Sequence, residues 1–400
     1  MRPSLRLSLP LAVMVTALAL TLPLGSCSSD RAATGLMDTP DHHALRGDDM
    51  VDKGEWEKAE REYDLALSLD KEFSLALSGK AVVEAHKGYF LRSNQAAREK
   101  AFDTAEDWFK KALKKAKSDK EKRTAHLAAL RSHAMTQMPE KWLEEAKEHY
   151  QDALKTDPKE EEADPHYFMA QAYRGAYKLN DAVAMYGRVL EMNKGRVGDA
   201  DREMDLVQKV IRAQPGSLYG RKVAFQESLS RADVAALFLG ELKLERIYTR
   251  DPRLDTRFQT PGEFQSGPRK AVDIDTHPMR NDIEEVIALG VAGLQPDGSG
   301  RFYPDRPLTR AEFAVMVEDL VAHLTGEKDL KTKFIGAESS LRDVRSDMPY
   351  FNAVQTVTSR NLMEPEDRVR GVFNPSGNMT GVDALLVLRA VKVELKSYLR

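Results

Sequence analysis

The chain has 400 residues, 31% of them charged and 42% hydrophobic, with a formal net charge of −3. That length implies two or three domains, and the near-neutral charge excludes a global attraction to nucleic acid or to anionic membranes. The composition is that of a helix-rich globular protein with an ordinary core, not of a disordered or membrane-embedded chain, so any electrostatic function must be local.

The first 30 residues, "MRPSLRLSLPLAVMVTALALTLPLGSCSSD", place Arg2 and Arg6 before an apolar run from Leu7 to Leu24. This is the pattern of an export signal, although the run is also just long enough for an uncleaved membrane helix. Cys27 is the single cysteine of the chain, which excludes an intramolecular disulfide. Leu24-Gly25-Ser26-Cys27 resembles a bacterial lipobox. The resemblance implies cleavage after residue 26, a lipid on the Cys27 sulfur and a lipidated tether over 27–40. Several acyl chains at about 0.8 kcal/mol per buried CH2 anchor a protein stably. Ser28 follows the cysteine, and by the same resemblance this points to the outer membrane of a diderm bacterium, with the periplasmic or the cell-surface face left open. Loss of Arg2 and Arg6 takes the mature charge from −3 to −5.

From residue 41 to 195 one pattern recurs: a small residue, a bulky aromatic four later, and a small or β-branched residue three after that. The instances are Ala59, Tyr63, Ala66; Ala105, Phe109, Ala112; Ala146, Tyr150, Ala153; and Ala182, Tyr186, Val189. Such spacing lines one face of a helix, with small residues where a neighbouring helix crosses closely. Gly47 and Ala170 stand twelve positions before Ala59 and Ala182, which makes these units helical hairpins. With endings such as "ALSLDKEF" and "ALKTDPKE", the hairpins resemble tetratricopeptide (TPR) repeats, whose period is about 34 residues. The anchors step instead by 46, 41 and 36, so the first two units carry lengthened helices or loops. Stacked hairpins leave a concave face that takes a protein or peptide, or serve as a spacer with no ligand. The stretch "KKALKKAKSDKEKR" alternates with alanines and acids and reads as a solvated helix face, so no nucleic-acid partner is expected.

Beyond residue 195 short helices alternate with Gly, Pro and Asp. Three helix starts share a form: Ser230-Arg231-Ala232-Asp233, Thr309-Arg310-Ala311-Glu312 and Thr380-Gly381-Val382-Asp383. A hydroxyl residue with an acid three positions on is the capping-box arrangement, which accounts for Ser230, Asp233, Thr309 and Glu312. It does not account for Arg231 and Arg310. A cation at the first helical position opposes the helix dipole by about a few tenths of a kcal/mol. An exposed arginine there implies a counterpart, either a bound anion or a nearby carboxylate.

The stretch "AVDIDTHPMRNDIEEVIALGVAGLQPDGSGRFYPDRPLTRAEFAVMVEDL" resembles an S-layer homology (SLH) module. A second copy, "LRDVRSDMPYFNAVQTVTSRNLMEPEDRVRGVFNPSGNMTGVDALLVLRAV", has Gly381 in place of the arginine. "DLVQKVIRAQPGSLYGRKVAFQESLSRADVAALFLGEL" resembles a divergent copy. The resemblance implies modules over 199–247, 271–325 and 338–395, joined by a linker over 248–270. It further implies a pseudo-threefold bundle whose grooves bind peptidoglycan or an associated acidic glycan through Arg310 and, second, Arg231, with the groove at Gly381 in doubt. The acids in "DIDTHPMRND" and "PDGSGRFYPD" lack the spacing of a calcium loop and read as turns. No phosphate loop, nucleophile elbow or metalloprotease motif is present, so no catalytic residue, metal or cofactor is expected.

The fold class expected is therefore all-α, a TPR-like hairpin solenoid followed by a helical SLH pseudo-trimer. The function expected is a non-catalytic lipoprotein linking the outer membrane to the wall, with a protein partner in the repeats. The alternative is a scaffold for envelope assembly or secretion in which the C-terminal modules only pack.

Overall fold

The computed structural model describes residues 31–91, 94–157, 159, 161–242, 244, 270–327 and 329–394. The signal segment, Cys27 and nearly all of the linker over 248–270 lie outside the described residues. Among those described, the secondary structure is helical with only isolated β-bridges, and no helix is long and apolar enough to cross a membrane.

Four helical hairpins come first: α1 Pro40–Asp52 with α2 Trp56–Leu69, α3 Ser74–Phe90 with α4 Gln95–Lys115, α5 Asp119–Thr136 with α6 Trp142–Lys155, and α7 Asp164–Gly175 with α8 Leu179–Met192. The recurring small–aromatic–small triads fall on α2, α4, α6 and α8, the second helix of each hairpin, and all but Tyr150 are buried. The reason for the small residues is visible at Tyr63. Its ring fills the space between Gly47 on α1 and Gly79 on α3, and a Cβ on either glycine would clash with the ring. Its hydroxyl donates to Asp48 at 2.7 Å. The excess spacing of the early repeats is helix: α3, α4 and α5 run to 17, 21 and 18 residues.

The hairpins curve until their ends meet. Arg196, just before α9 Val197–Ala213, pairs with Asp52 at the end of α1 at 2.6 Å, across 144 residues of sequence. Helix α9 belongs to two cores at once. Ala200 and Val207 are buried with the hairpins, whereas Val210 and Ala213 are buried with the C-terminal helices. A helix with apolar residues on two faces joins the two halves without a linker.

The C-terminal half contains α10 Leu218–Val223, α11 Arg231–Leu237 continuing into a π-turn over Phe238–Leu242, α12 Arg280–Ala288, α13 Arg310–Thr325, a 3-10 turn at Leu330–Thr332, α14 Phe351–Ser359 and α15 Gly381–Glu394. Its helix pairing is cyclic: α11 packs on α12, α13 on α14, and α15 on α9. The second helix of each module therefore covers the first helix of the next, and the third closes on the first. One continuous core results, with Phe238 and Phe313 at a ring separation of 5.8 Å inside it.

Three histidines line the joint between α5 and α6. His126 and His149 face each other at 3.1 Å between Nδ1 atoms, and His133 stacks on His149 beside Phe109. One Nδ1 must donate and the other accept, so the pair is compatible with neutral rings. Burial, reinforced by His133 and His126, lowers the His149 pKa from 6.5 to about 4, and burial lowers those of His126 and His133. Below pH 6.5 the unfolded chain binds protons that the folded chain refuses, so this stability is complete above 6.5 and is lost as the pH falls toward 4. Urea unfolding at about pH 7.5 and about pH 4.5 should differ by on the order of 2 kcal/mol, and His149→Phe should flatten the dependence. An unchanged pH slope in that variant would contradict the assignment.

Candidate functional site at the module seams

Each C-terminal module ends its loop in a residue that enters a shared axis: Leu229, Leu308 and Met379, all fully buried. Their backbones form a closed ring. Leu229 N–H donates to Met379 C=O at 2.8 Å, Met379 N–H to Leu308 C=O at 2.9 Å, and Leu308 N–H to Leu229 C=O at 2.8 Å. The following residues, Ser230, Thr309 and Thr380, precede the three second helices. Ser230 with Asp233 and Thr309 with Glu312 form complete capping boxes, and Thr380 accepts from Asp383 N–H at 3.2 Å. Burial alone would push the Glu312 carboxyl up, but hydrogen bonds from Arg306 and the Thr309 backbone outweigh it and hold its pKa below the usual range. The Asp233 carboxylate also takes the Tyr219 hydroxyl.

The arginines that follow are not exposed, contrary to the expectation from sequence. Arg231 and Arg310 are only 8% and 6% accessible. Arg231 donates from Nε to Phe302 C=O at 2.7 Å, from Nη1 to Gly293 C=O at 2.7 Å and from Nη2 to Gln295 C=O at 3.2 Å. Arg310 donates from Nε to Phe373 C=O at 2.9 Å and from Nη2 to Glu364 C=O at 2.7 Å. Each guanidinium also lies over the ring of the same phenylalanine, 4.7 Å from Phe302 and 4.9 Å from Phe373. The counterpart that the cation required is thus supplied within the chain by loop carbonyls and an aromatic face of the next module. Of the two arginines, only Arg310 forms an ion pair among the described residues, with Asp383 3.9 Å from its Nη1. Burial lowers the pKa of both arginines, which nonetheless remain cationic at neutral pH.

The loops that receive the arginines are themselves braced. Asp273 accepts from Phe302 and Tyr303 N–H at 2.8 Å each, and Asp343 accepts from Phe373 and Asn374 N–H at 2.9 and 2.6 Å. Tyr303 and Asn374 adopt φ of 55° and 58°, the left-handed region that L-residues disfavour, and the aspartate bonds offset that cost. The Asp-Ile and Asp-Val pairs that open the modules in sequence therefore act as clamps on the Phe-x-Pro turns. Backbone pairing completes each seam: Arg231 N–H to Arg306 C=O, Ala232 N–H to Pro304 C=O, Arg310 N–H to Gly377 C=O and Ala311 N–H to Pro375 C=O.

The third seam is built differently. Val223 stands where the other loops carry phenylalanine, and Gly381 N–H donates to Gln226 C=O at 2.8 Å. A Cβ at Gly381 would overlap the Val223 carbonyl, so no side chain fits there. The ionic tie comes instead from α15, where Lys392 meets the buried Glu241 carboxylate at 2.7 Å. Glu241 also accepts from Gly216 and Ser217 N–H at 3.1 and 2.8 Å. The acids read as turns behave as such: Asp297 accepts from Ser299 and Arg301 N–H, and the Ser299 hydroxyl, foremost, lowers its pKa to about 2.

With this geometry in view, the similarity of the chain to known proteins falls on one seam. Residues 272–314 match the S-layer homology domain. The matched segment runs from the Asp273 clamp through the Phe302 turn to the first turn of α13. S-layer homology domains are non-catalytic modules that bind cell-wall polymers, which associates this chain with the cell envelope. No curated protein matches the chain.

If the arginines clasp one module to the next, Arg310→Ala should cost about 2–4 kcal/mol of bundle stability, because it strands two buried carbonyls and removes the stack on Phe373. Gly381→Ala should cost at least as much, since its Cβ meets backbone. Urea unfolding followed by circular dichroism measures both, and a change below about 0.5 kcal/mol in either would refute the clasp.

Proposed function

We propose that the C-terminal bundle binds peptidoglycan or an associated acidic wall glycan at its module seams, while the chain is held to the outer membrane through a lipid on Cys27. The single observation that carries the wall-binding part is the S-layer homology match, lying on a seam whose architecture recurs at Arg310. Arg310 is the stronger candidate contact. Among the described residues its Nη1 has no carbonyl partner and faces Asp383 at 3.9 Å, whereas all three nitrogens of Arg231 are engaged. Thr309, Glu312, Ser230 and Asp233 set the helix starts from which these arginines project. The closed Gly381 seam contributes no guanidinium and is the silent groove.

Anchoring does not require strong individual sites, since a tethered protein meets the wall at high effective concentration. The hairpins, read as TPR repeats, then hold a protein partner at a fixed distance from the wall through the shared helix α9. The reading as a purely structural packing unit predicts no wall affinity at all.

The test is co-sedimentation with purified peptidoglycan sacculi. The protein should pellet, and Arg310→Ala combined with Arg231→Ala should release it, with circular dichroism separating lost contact from lost fold. A wild-type protein that stays in the supernatant would sink the wall-binding reading. Acyl-label incorporation abolished by Cys27→Ala checks the anchor independently.

A further inference from the structure

The chain is tied into the fold well before its first helix. Arg31 N–H donates to Ser68 C=O at 2.5 Å, and Arg31 Nε donates to the Ser68 hydroxyl at 3.2 Å, beside the end of α2. The Arg31 guanidinium then closes a loop on Asp38, with Nη1 and Nη2 at 2.9 and 2.6 Å from the two carboxylate oxygens. Asp38 also accepts from the Thr34 N–H and hydroxyl at 2.7 and 2.8 Å. This bidentate pair with its two further bonds fixes the loop over 31–38 against the hairpins, ahead of α1 at Pro40. Cys27 stands four residues before Arg31, and four residues reach at most about 14 Å when fully extended. A lipid on Cys27 therefore holds this end of the hairpins at the bilayer surface.

Two features of this end suit a lipid surface. The loop that Arg31 closes carries Leu36 and Met37 at its tip, 98% and 64% exposed. Adjacent apolar side chains that an ordered loop holds out in water are stabilised on entering an acyl boundary. The second feature is cationic. Lys115 pairs with Glu72, four residues beyond Ser68, and the Ser74 hydroxyl donates to Ala112 C=O at 2.9 Å, so the end of α4 lies beside the turn from α2 to α3. The hydrogen bond from Lys115, with the charges of Lys71 and Lys111 nearby, holds the Glu72 carboxyl below its usual range. Lys71, Lys111, Lys114 and Lys117 are exposed, and among the described residues none of them forms an ion pair. With Lys115 they stand against Asp70, Glu72 and Glu121, and even with Asp41 in the first turn of α1 the cations exceed the acids. The other cations of the lysine-rich stretch are committed elsewhere: Lys110 to Glu106, Lys122 to Asp119 and Arg123 to Glu162, while Lys120 lines a hollow between the hairpins.

We infer that the loop over 31–38, the turn from α2 to α3 and the end of α4 form a face that rests on the leaflet holding the lipid. Leu36 and Met37 enter the acyl boundary, and Lys71, Lys111, Lys114 and Lys117 meet anionic phospholipid headgroups. This rests on the reading of Cys27 as the lipid-bearing residue and turns a swivelling anchor into one of fixed orientation. Acyl chains supplemented by apolar and basic contacts of the fold hold the protein by more than one signal. The lysine-rich stretch, a solvated helix face by its sequence, gains this partner because the fold sets it beside the entry of the chain.

The lipidated full chain reconstituted in vesicles provides the test, because acylation of Cys27 leaves one introduced cysteine as the only thiol. An environment-sensitive fluorophore on Met37→Cys should shift to the blue and be quenched by nitroxide lipids several-fold more than the same fluorophore on Leu218→Cys, an exposed position of the C-terminal half. The fluorophore on Lys114→Cys should be quenched by headgroup nitroxides, and more so in vesicles containing phosphatidylglycerol than in phosphatidylcholine alone. Position 37 as solvated as position 218, in a chain that floats with the vesicles, would overturn the inference and leave the lipid anchor standing. Equal quenching at position 114 in the two kinds of vesicle would overturn the headgroup contacts. A chain that takes up no acyl label and does not float would overturn the anchor itself, and the inference with it.

Discussion

The C-terminal half depends on a ring of three backbone hydrogen bonds, from Leu229 to Met379 to Leu308 and back to Leu229. None of these bonds joins residues near in sequence, and each needs the other two to fix its direction. The ring sets where Ser230, Thr309 and Thr380 sit, and hence where three helices begin. It also decides that the residue after each cap points into the neighbouring module. At two positions that residue meets a Phe-x-Pro loop and is arginine; at the third it meets the Val223 carbonyl and must be glycine. The departure at Gly381 is a packing requirement, met by the same geometry that demands arginine elsewhere.

Helix α9 extends this constraint into the repeats. Its first half is a hairpin element and its second half is the first helix of the bundle, so a displacement in one core is felt in the other. The Arg196 to Asp52 pair then ties the start of α9 back to α1. The hairpins and the seams thereby belong to one connected framework.

The hairpins were legible because their signal is periodic: Ala59, Tyr63 and Ala66 recur in kind on α4, α6 and α8, and helical spacing needs no long-range information. The capping boxes were legible because they span three residues. The surroundings of Arg231 and Arg310 were not. Their partners are backbone carbonyls of residues 54 to 71 positions away, and a carbonyl has no side-chain signature. Reasoning from local charge therefore left the arginines exposed and awaiting an anion or a carboxylate, when the structure meets them with carbonyls. The divergence of the stretch that begins on α9 has a related reason, since α9 serves two cores and its pattern is a compromise between them.

Native-state hydrogen exchange at the amides of Leu229, Leu308 and Met379 tests the central claim most directly. A cyclic ring predicts that all three exchange slowly, share one opening free energy, and lose protection together as denaturant rises. Independent exchange, with one amide opening well before the other two, would show that the three modules are held separately and would contradict the account.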